Sequence, residues 1–233
     1  MSYFVTGATG FIGRYLVGNL LKRSGTVYVL VRKDSQKKFD AIAKKAGWDM
    51  KRVTVVHGDM TKPRCGLTPA QLRTLTGKVK HFFHLAAIYD LTATREAQQA
   101  ANIDGTRHAL DLAAALKAGC FHHTSSIAAA GLYPGIFRED MFDEAEGLDD
   151  PYLRTKHESE GLVRNEKRIK WRIYRPGMVV GHSKTGEIDK IDGPYYFFTL
   201  IKKLREMLPP WMPVLGIEGG RINLVPVDFV ADA

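Results

Sequence analysis

Tyr152 and Lys156 stand four residues apart in Pro151-Tyr152-Leu153-Arg154-Thr155-Lys156-His157-Glu158. Proline suits the first position of a helix, and a spacing of four puts both side chains on one face. A phenol titrates near 10, and a nearby ammonium favours the phenolate, so the pair predicts a tyrosine that exchanges protons near working pH. Such a group serves a carbonyl or alkoxide oxygen while hydride moves at the neighbouring carbon. Ser126, in Thr124-Ser125-Ser126, brings a second hydroxyl that can donate to the same oxygen. Lys156 can also hold ribose hydroxyls. Tyr-x-x-x-Lys alone is common on surface helices; order and distance give it weight, with Ser126 twenty-six residues ahead of Tyr152.

The elements that must position these groups begin at the N-terminus. Tyr3-Phe4-Val5 is a short apolar run fit for a buried strand, and Thr6-Gly7-Ala8-Thr9-Gly10-Phe11-Ile12-Gly13 follows it. Tyr15, Leu16, Leu20 and Leu21 then recur at helical spacing. A strand, a glycine turn and a helix form the context in which three glycines read as a dinucleotide cradle rather than a bare β-to-α turn. Gly7 supplies the turn, Gly10 admits a pyrophosphate, Gly13 lets helix press on strand, and the helix N-terminus attracts phosphate.

Thr26–Val31 (TVYVLV) reads as a strand buried on both faces, and Arg32 ends it nineteen residues after Gly13. A basic residue there accommodates a 2′-phosphate where an acid would hold a ribose hydroxyl, so Arg32 with Lys33 predicts NADP(H). Asp34 blunts that signal, and a solvated strand end is the plain alternative. A helix over 36–46, a strand over Val53–Val56 and Gly58-Asp59-Met60 at its carboxyl end come next, with Asp59 able to accept from an adenine amino group. His81–Leu85 makes a fourth strand, and Ala86-Ala87 suits a close approach of backbone to cofactor. A helix is expected from about Thr94 to Ala118, then strands at Phe121–Thr124 and Trp171–Arg175. His81 and His84, like His122 and His123, point to opposite faces of their strands, so no metal site is expected.

Composition sets the outer limits. The 233 residues are 45% hydrophobic and 25% charged, an ordinary balance for one α/β domain and part of another. Two cysteines, Cys65 and Cys120, make no disulfide framework and suggest a reducing compartment. Neither a signal peptide nor a membrane-length apolar run is present, which favours a cytoplasmic location. The net charge of +9 is concentrated in residues 1–60, where eleven basic residues face four acids. That stretch suits polyanions such as NADPH or coenzyme A, and no nucleic-acid recognition motif occurs among its basic residues.

TGATGFIG, GDM, HLAA, NIDGT, TSS, YLRTK and YRPGMVVG, in this order, resemble the extended short-chain dehydrogenase/reductase superfamily over nearly the whole chain. The resemblance implies a doubly wound parallel α/β sheet of the Rossmann type with a small, incomplete substrate lobe. Residues 1–175 would be the cofactor domain, 176–221 the partial lobe and 222–233 a return to the cofactor domain. It implies Ser126, Tyr152 and Lys156 as the catalytic set. The implied NADP(H) contacts are Gly7, Thr9, Gly10, Phe11, Ile12, Gly13, Arg32, Lys33, Asp59, Met60, Ala86, Ala87, Thr124, Tyr152, Lys156, Pro176, Gly177, Met178 and Val179.

Within the superfamily, VLVRK, GHSKTG and GIFREDMFDEAEGLDDPYLRTKHESE look like thioester reductases, with the strongest likeness to the N-terminal domain of bacterial alcohol-forming fatty acyl-CoA reductases. That likeness implies an acyl-CoA or acyl-carrier-protein substrate reduced to aldehyde, which can go on to alcohol. It also implies a second reductase domain in a longer parent, and it leaves a peripheral membrane contact open. Aromatics at Pro194–Ile201, with Trp211 in Leu208–Leu215, would line an acyl channel or simply fill the lobe's core. The seven acids of 139–150 read as a solvated loop. Sugar-nucleotide epimerases or dehydratases and ketone reductases share the superfamily, although Arg32 argues against the NAD-retaining epimerases. A non-catalytic NADP(H)-binding protein is the reading from another class.

Overall fold

Short runs rich in apolar, β-branched and aromatic residues favour strands, and six of them form the centre of this chain. The computed structural model describes residues 1–87, 94–189, 194–209 and 222–233. Its strands β1 (Ser2–Thr6), β2 (Thr26–Val31), β3 (Val53–His57), β4 (His81–His84), β5 (Cys120–Thr124) and β6 (Trp171–Tyr174) lie in one parallel sheet ordered β3-β2-β1-β4-β5-β6. The direction of winding reverses between β1 and β4, which opens a crevice at the carboxyl ends of those strands, the place where such sheets bind ligands. The doubly wound parallel α/β sheet expected from the sequence is the fold observed.

Each face of the sheet has its own core. On one, Tyr3, Val5, Val27 and Val29 pack with Val17 and Leu20 of α1 (Phe11–Lys22) and Phe39 and Ala43 of α2 (Gln36–Lys45). On the other, Phe4, Phe82 and Phe121 stand in register on β1, β4 and β5, their rings 4.8 and 5.3 Å apart. Helix α3 (Pro69–Leu75), seated by a Thr68–Gln71 capping box, brings Leu75 to this second core.

The long helix expected over 94–118 is not uniform. It comprises α4 (Arg95–Gln98), a π-helical stretch Gln99–Asp104 and α5 (Gly105–Ala115), ending at Lys117 with φ 54°. A wider turn advances the helix face, and here it brings the buried Asn102 within 3.2 Å of Thr155 on α6 (Pro151–Arg164). The strand histidines separate by face as their spacing requires. His81 Nδ1 meets His122 Nε2 at 3.0 Å, whereas His84 sits on the opposite side between Thr6 and Thr106. Among the described residues no cluster of His, Cys, Asp or Glu is grouped to hold a metal ion.

After β6 the chain forms β7 (Met178–Val180), α7 (Pro194–Met207), β8 (Leu224–Pro226) and α8 (Val227–Asp232). Strands β7 and β8 pair in a separate two-stranded sheet, and α8 returns to α1 through Asn19, which bonds Ala231 O at 3.2 Å and Asp232 Oδ1 at 2.6 Å. Trp211 and most of Leu208–Leu215 lie outside the described residues. Among the described residues no helix is long and apolar enough to cross a membrane.

Candidate active site

The glycine turn is shaped by contacts that exclude side chains. Gly7 has φ +77°, and a Cβ on it would stand 2.7 Å from the amide nitrogen of Ala86. A Cβ on Gly13 would lie 2.1 Å from the carbonyl oxygen of Gly7, so the first turn of α1 rests directly on the loop. Gly10 is exposed, and α1 starts with neither a side-chain cap nor an acid in its first turn. Its leading N–H groups are therefore open to an anion, and the cradle fits the pyrophosphate of a dinucleotide. Thr9, Phe11 and Ile12 border it, half-buried.

The neighbouring strand ends converge on this cradle. Arg32 projects from the end of β2 with 62% of its side chain exposed, 3.6 Å from Asp34, and Lys33 opens the following turn. Asp59, at the end of β3, accepts from Thr61 N and Oγ1 at 3.0 and 2.8 Å. The Thr61 amide in particular holds its carboxyl below the usual range against the opposing pull of burial. Met60 is half-buried and packs against the second core, with Gly105 beside it. Ala86 is half-buried and Ala87 exposed beyond β4. On the far side, Pro176 O accepts from Ile127 N at 3.1 Å, Gly177 abuts Asn223, Met178 is exposed, and Val179 sits in β7.

Two of the basic residues that give the N-terminal half its charge are engaged. Arg14 pairs with Asp189, and Lys45 reaches Glu187 at 2.9 Å. Sequence spacing cannot reveal such pairings across more than a hundred residues.

Helix α6 delivers Tyr152 and Lys156 to the carboxyl edge. Asp150 caps it, accepting from Tyr152 N at 2.8 Å and Leu153 N at 3.1 Å, with Pro151 as the first helical residue. Asp150 thus departs from the solvated loop expected for 139–150, and the Asp-Pro pair ahead of Tyr152 was the readable signal for a cap. Asp150→Ala is expected to destabilise the protein by about 1 kcal/mol, lowering Tm by roughly 2–4 °C in a thermal melt. An unchanged Tm would remove the cap from the account. Farther along α6, His157 bonds Ala129 O at 3.0 Å and stacks on Phe142 at 4.2 Å, which fixes the helix against the short turn that follows Ser126.

Ser126 and Tyr152 are brought together, the Ser126 hydroxyl near enough to act on the Tyr152 phenol. Ser126 also accepts from Ala128 N at 3.1 Å. Burial raises the Tyr152 phenol above its ordinary value, and the neighbouring Ser126 hydroxyl opposes that rise without reversing it. The sequence expectation of a phenol lowered by Lys156 is corrected here. Lys156 is buried and turns to the Thr124 carbonyl at 3.5 Å, and burial lowers its ammonium to about 8. Desolvation outweighs the attraction that helix spacing suggested.

The strand order and the glycine cradle place the chain among the dinucleotide-binding domains of the extended short-chain dehydrogenase/reductase class. More narrowly, it belongs to the male sterility protein family, whose pattern it matches over residues 5–233. The terminal R domain from the myxalamid PKS-NRPS biosynthetic pathway superimposes with a TM-score of 0.80 at 30% identity, over 99% of this chain and 60% of that one. A linear gramicidin synthase of Brevibacillus parabrevis is 30% identical over 97% of the chain, and L-2-aminoadipate reductase of Saccharomyces cerevisiae 28% identical over 99%. The chain spans 5% of the first protein's length and 18% of the second's.

Proposed function

We propose that the protein reduces an acyl thioester to an aldehyde, with NADPH as the reductant. The observation that carries this reading is the neighbouring pair of hydroxyls, Ser126 and Tyr152, on the same sheet edge as the glycine cradle. When bound, NADPH supplies the hydride. Ser126 and Tyr152 donate to the thioester oxygen as it becomes negative. Collapse of that oxyanion breaks the carbon–sulfur bond, and the departing thiolate takes up a proton from water to leave as the thiol. Tyr152, kept protonated by burial, acts as a donor rather than a base. Lys156 holds the ribose hydroxyls, Arg32 and Lys33 face the 2′-phosphate, and Asp59 meets the adenine. Residues 1–175 with 222–233 form the cofactor side, and 176–221 belongs to the substrate side.

Reductase domains of peptide and polyketide synthetases among the solved structures favour the carrier-bound acyl group over acyl-CoA, the two thioesters expected from sequence. The same relatives support a longer parent with further domains. The test is made on the full-length parent, with palmitoyl-CoA and carrier-bound acyl thioesters as parallel substrates. NADPH loss matched by free thiol is expected, faster with the carrier-bound series. No thiol from any acyl thioester would sink the proposal, and a preference for palmitoyl-CoA would return the fatty acyl reading.

For the cofactor, Arg32→Glu is expected to weaken NADPH binding ten- to hundredfold, on the basis of about 1.5–3 kcal/mol for a bond to a charged group. NADH binding should hardly change. Equal use of NADH and NADPH by the unaltered protein would count against the role of Arg32.

A further inference from the structure

Behind the catalytic helix a carboxylate is sealed from solvent. Glu160 stands one turn beyond Lys156 on α6 and is fully buried. Its Oε2 accepts from Ser125 Oγ at 2.7 Å, and its Oε1 from Arg164 Nε at 2.8 Å and Arg175 Nη2 at 2.6 Å. Arg175 Nε lies within 3.1 Å of both oxygens. Arg175 also donates to the carbonyls of Arg138 and Met141, at 3.1 and 2.8 Å. The cluster therefore joins the end of β5, the end of β6, helix α6 and the loop between Ser126 and Tyr152. Ser125 adjoins Ser126, and Arg175 adjoins Pro176.

A buried ion pair adds little net stability over well-packed apolar residues, so stability does not account for this one. Its bonds run instead to the segments that carry the site. We propose that Glu160 is a positioning residue: it fixes Ser125 and Arg175, hence the segments bearing Ser126 and Pro176, and its negative charge keeps the Lys156 ammonium charged. The inference rests on the reading of Lys156 as a cofactor contact.

The surroundings of Lys156 isolate this effect. His84 on β4 and His123 on β5 face it, and burial holds both neutral, His84 down at about 3 and His123 well below its ordinary value. Tyr152 on its own helix is uncharged until alkaline pH, its phenol raised by burial. Glu160 remains ionised because bonds from Arg175, Ser125 and Arg164 outweigh the upward push of burial. Burial draws Lys156 down to about 8, and the charge on Glu160 acts in the opposite sense.

The test measures NADPH affinity by fluorescence on the full chain from about pH 6.5 to 10, a window that spans the lysine titration. Affinity should fall as pH rises through about 8, where the ammonium loses its proton. Lys156→Met should abolish that midpoint; if it persists, or is absent from the unaltered protein, the reading of Lys156 fails and this inference with it. Glu160→Gln should move the midpoint to lower pH, cutting affinity at the original midpoint by about fivefold for one unit of displacement. Affinity below both midpoints should be preserved, which a merely structural loss would not allow. Arg164→Gln, at a more accessible partner, should move the midpoint upward because Glu160 is then less compensated. If Glu160→Gln does not fold, the sign seen with Arg164→Gln decides. Midpoints left in place, with the Lys156→Met effect present, overturn the role of Glu160 whether or not acyl thioesters are reduced.

Discussion

Tyr152→Phe is expected to lower turnover by about 10²–10⁴-fold, the range over which a positioned proton donor contributes. NADPH affinity and Tm should hold, because the ring and its packing remain. Ser126→Ala should cost less, since Tyr152 can still donate to the oxygen. The double variant should fall short of the product of the two effects, because both hydroxyls serve one oxygen and neighbour each other. Steady-state NADPH consumption, with binding measured separately, tests all three variants. Unchanged turnover in Tyr152→Phe would overturn the catalytic assignment. Burial also keeps the phenol protonated, so no loss of rate from Tyr152 ionisation is expected through the neutral range.

Gly13→Ala should be the most damaging small substitution in the cofactor half. The added carbon would stand 2.1 Å from the Gly7 carbonyl oxygen and 2.9 Å from its carbon, and both are backbone atoms that cannot rotate away. Overpacking of this kind costs about 1–3 kcal/mol or more, so Tm should fall on the order of 5–10 °C. NADPH binding should be lost as well, because the displaced turn no longer aims the α1 amides at phosphate. Gly18→Ala on the same helix provides a control of opposite sign. Its Cβ would meet only Trp48 Nε1, at 3.9 Å, and replacing a helical glycine is worth up to about 1 kcal/mol. A thermal melt of both variants, with a dinucleotide titration, separates the two effects. Equal Tm values would refute the steric account of Gly13.

Features with a local cause were legible in the chain. The six strand-forming runs, the glycine spacing and the Tyr152–Lys156 interval each follow from a short period or a single backbone requirement, and the sheet forms where those runs predicted it. The helix over 94–118 was read as helical, but its π-helical stretch at 99–104 was not. That wider turn accompanies contacts to another element, Asn102 with Thr155, which no periodicity within the segment encodes.

The shape of the first glycine turn was likewise legible: a strand, three glycines and an uncapped helix follow from backbone geometry alone. Burial and long-range pairing were decided only in three dimensions. Whether a phenol beside a lysine is lowered or raised depends on how much water the fold removes, and for Tyr152 the fold removes enough to raise it. Glu160, Ser125 and Arg175 are up to fifty residues apart in sequence and look like ordinary polar positions. They become one buried cluster because β5, α6 and β6 end at the same edge, where an unpaired carboxylate would be far too costly to leave in the core.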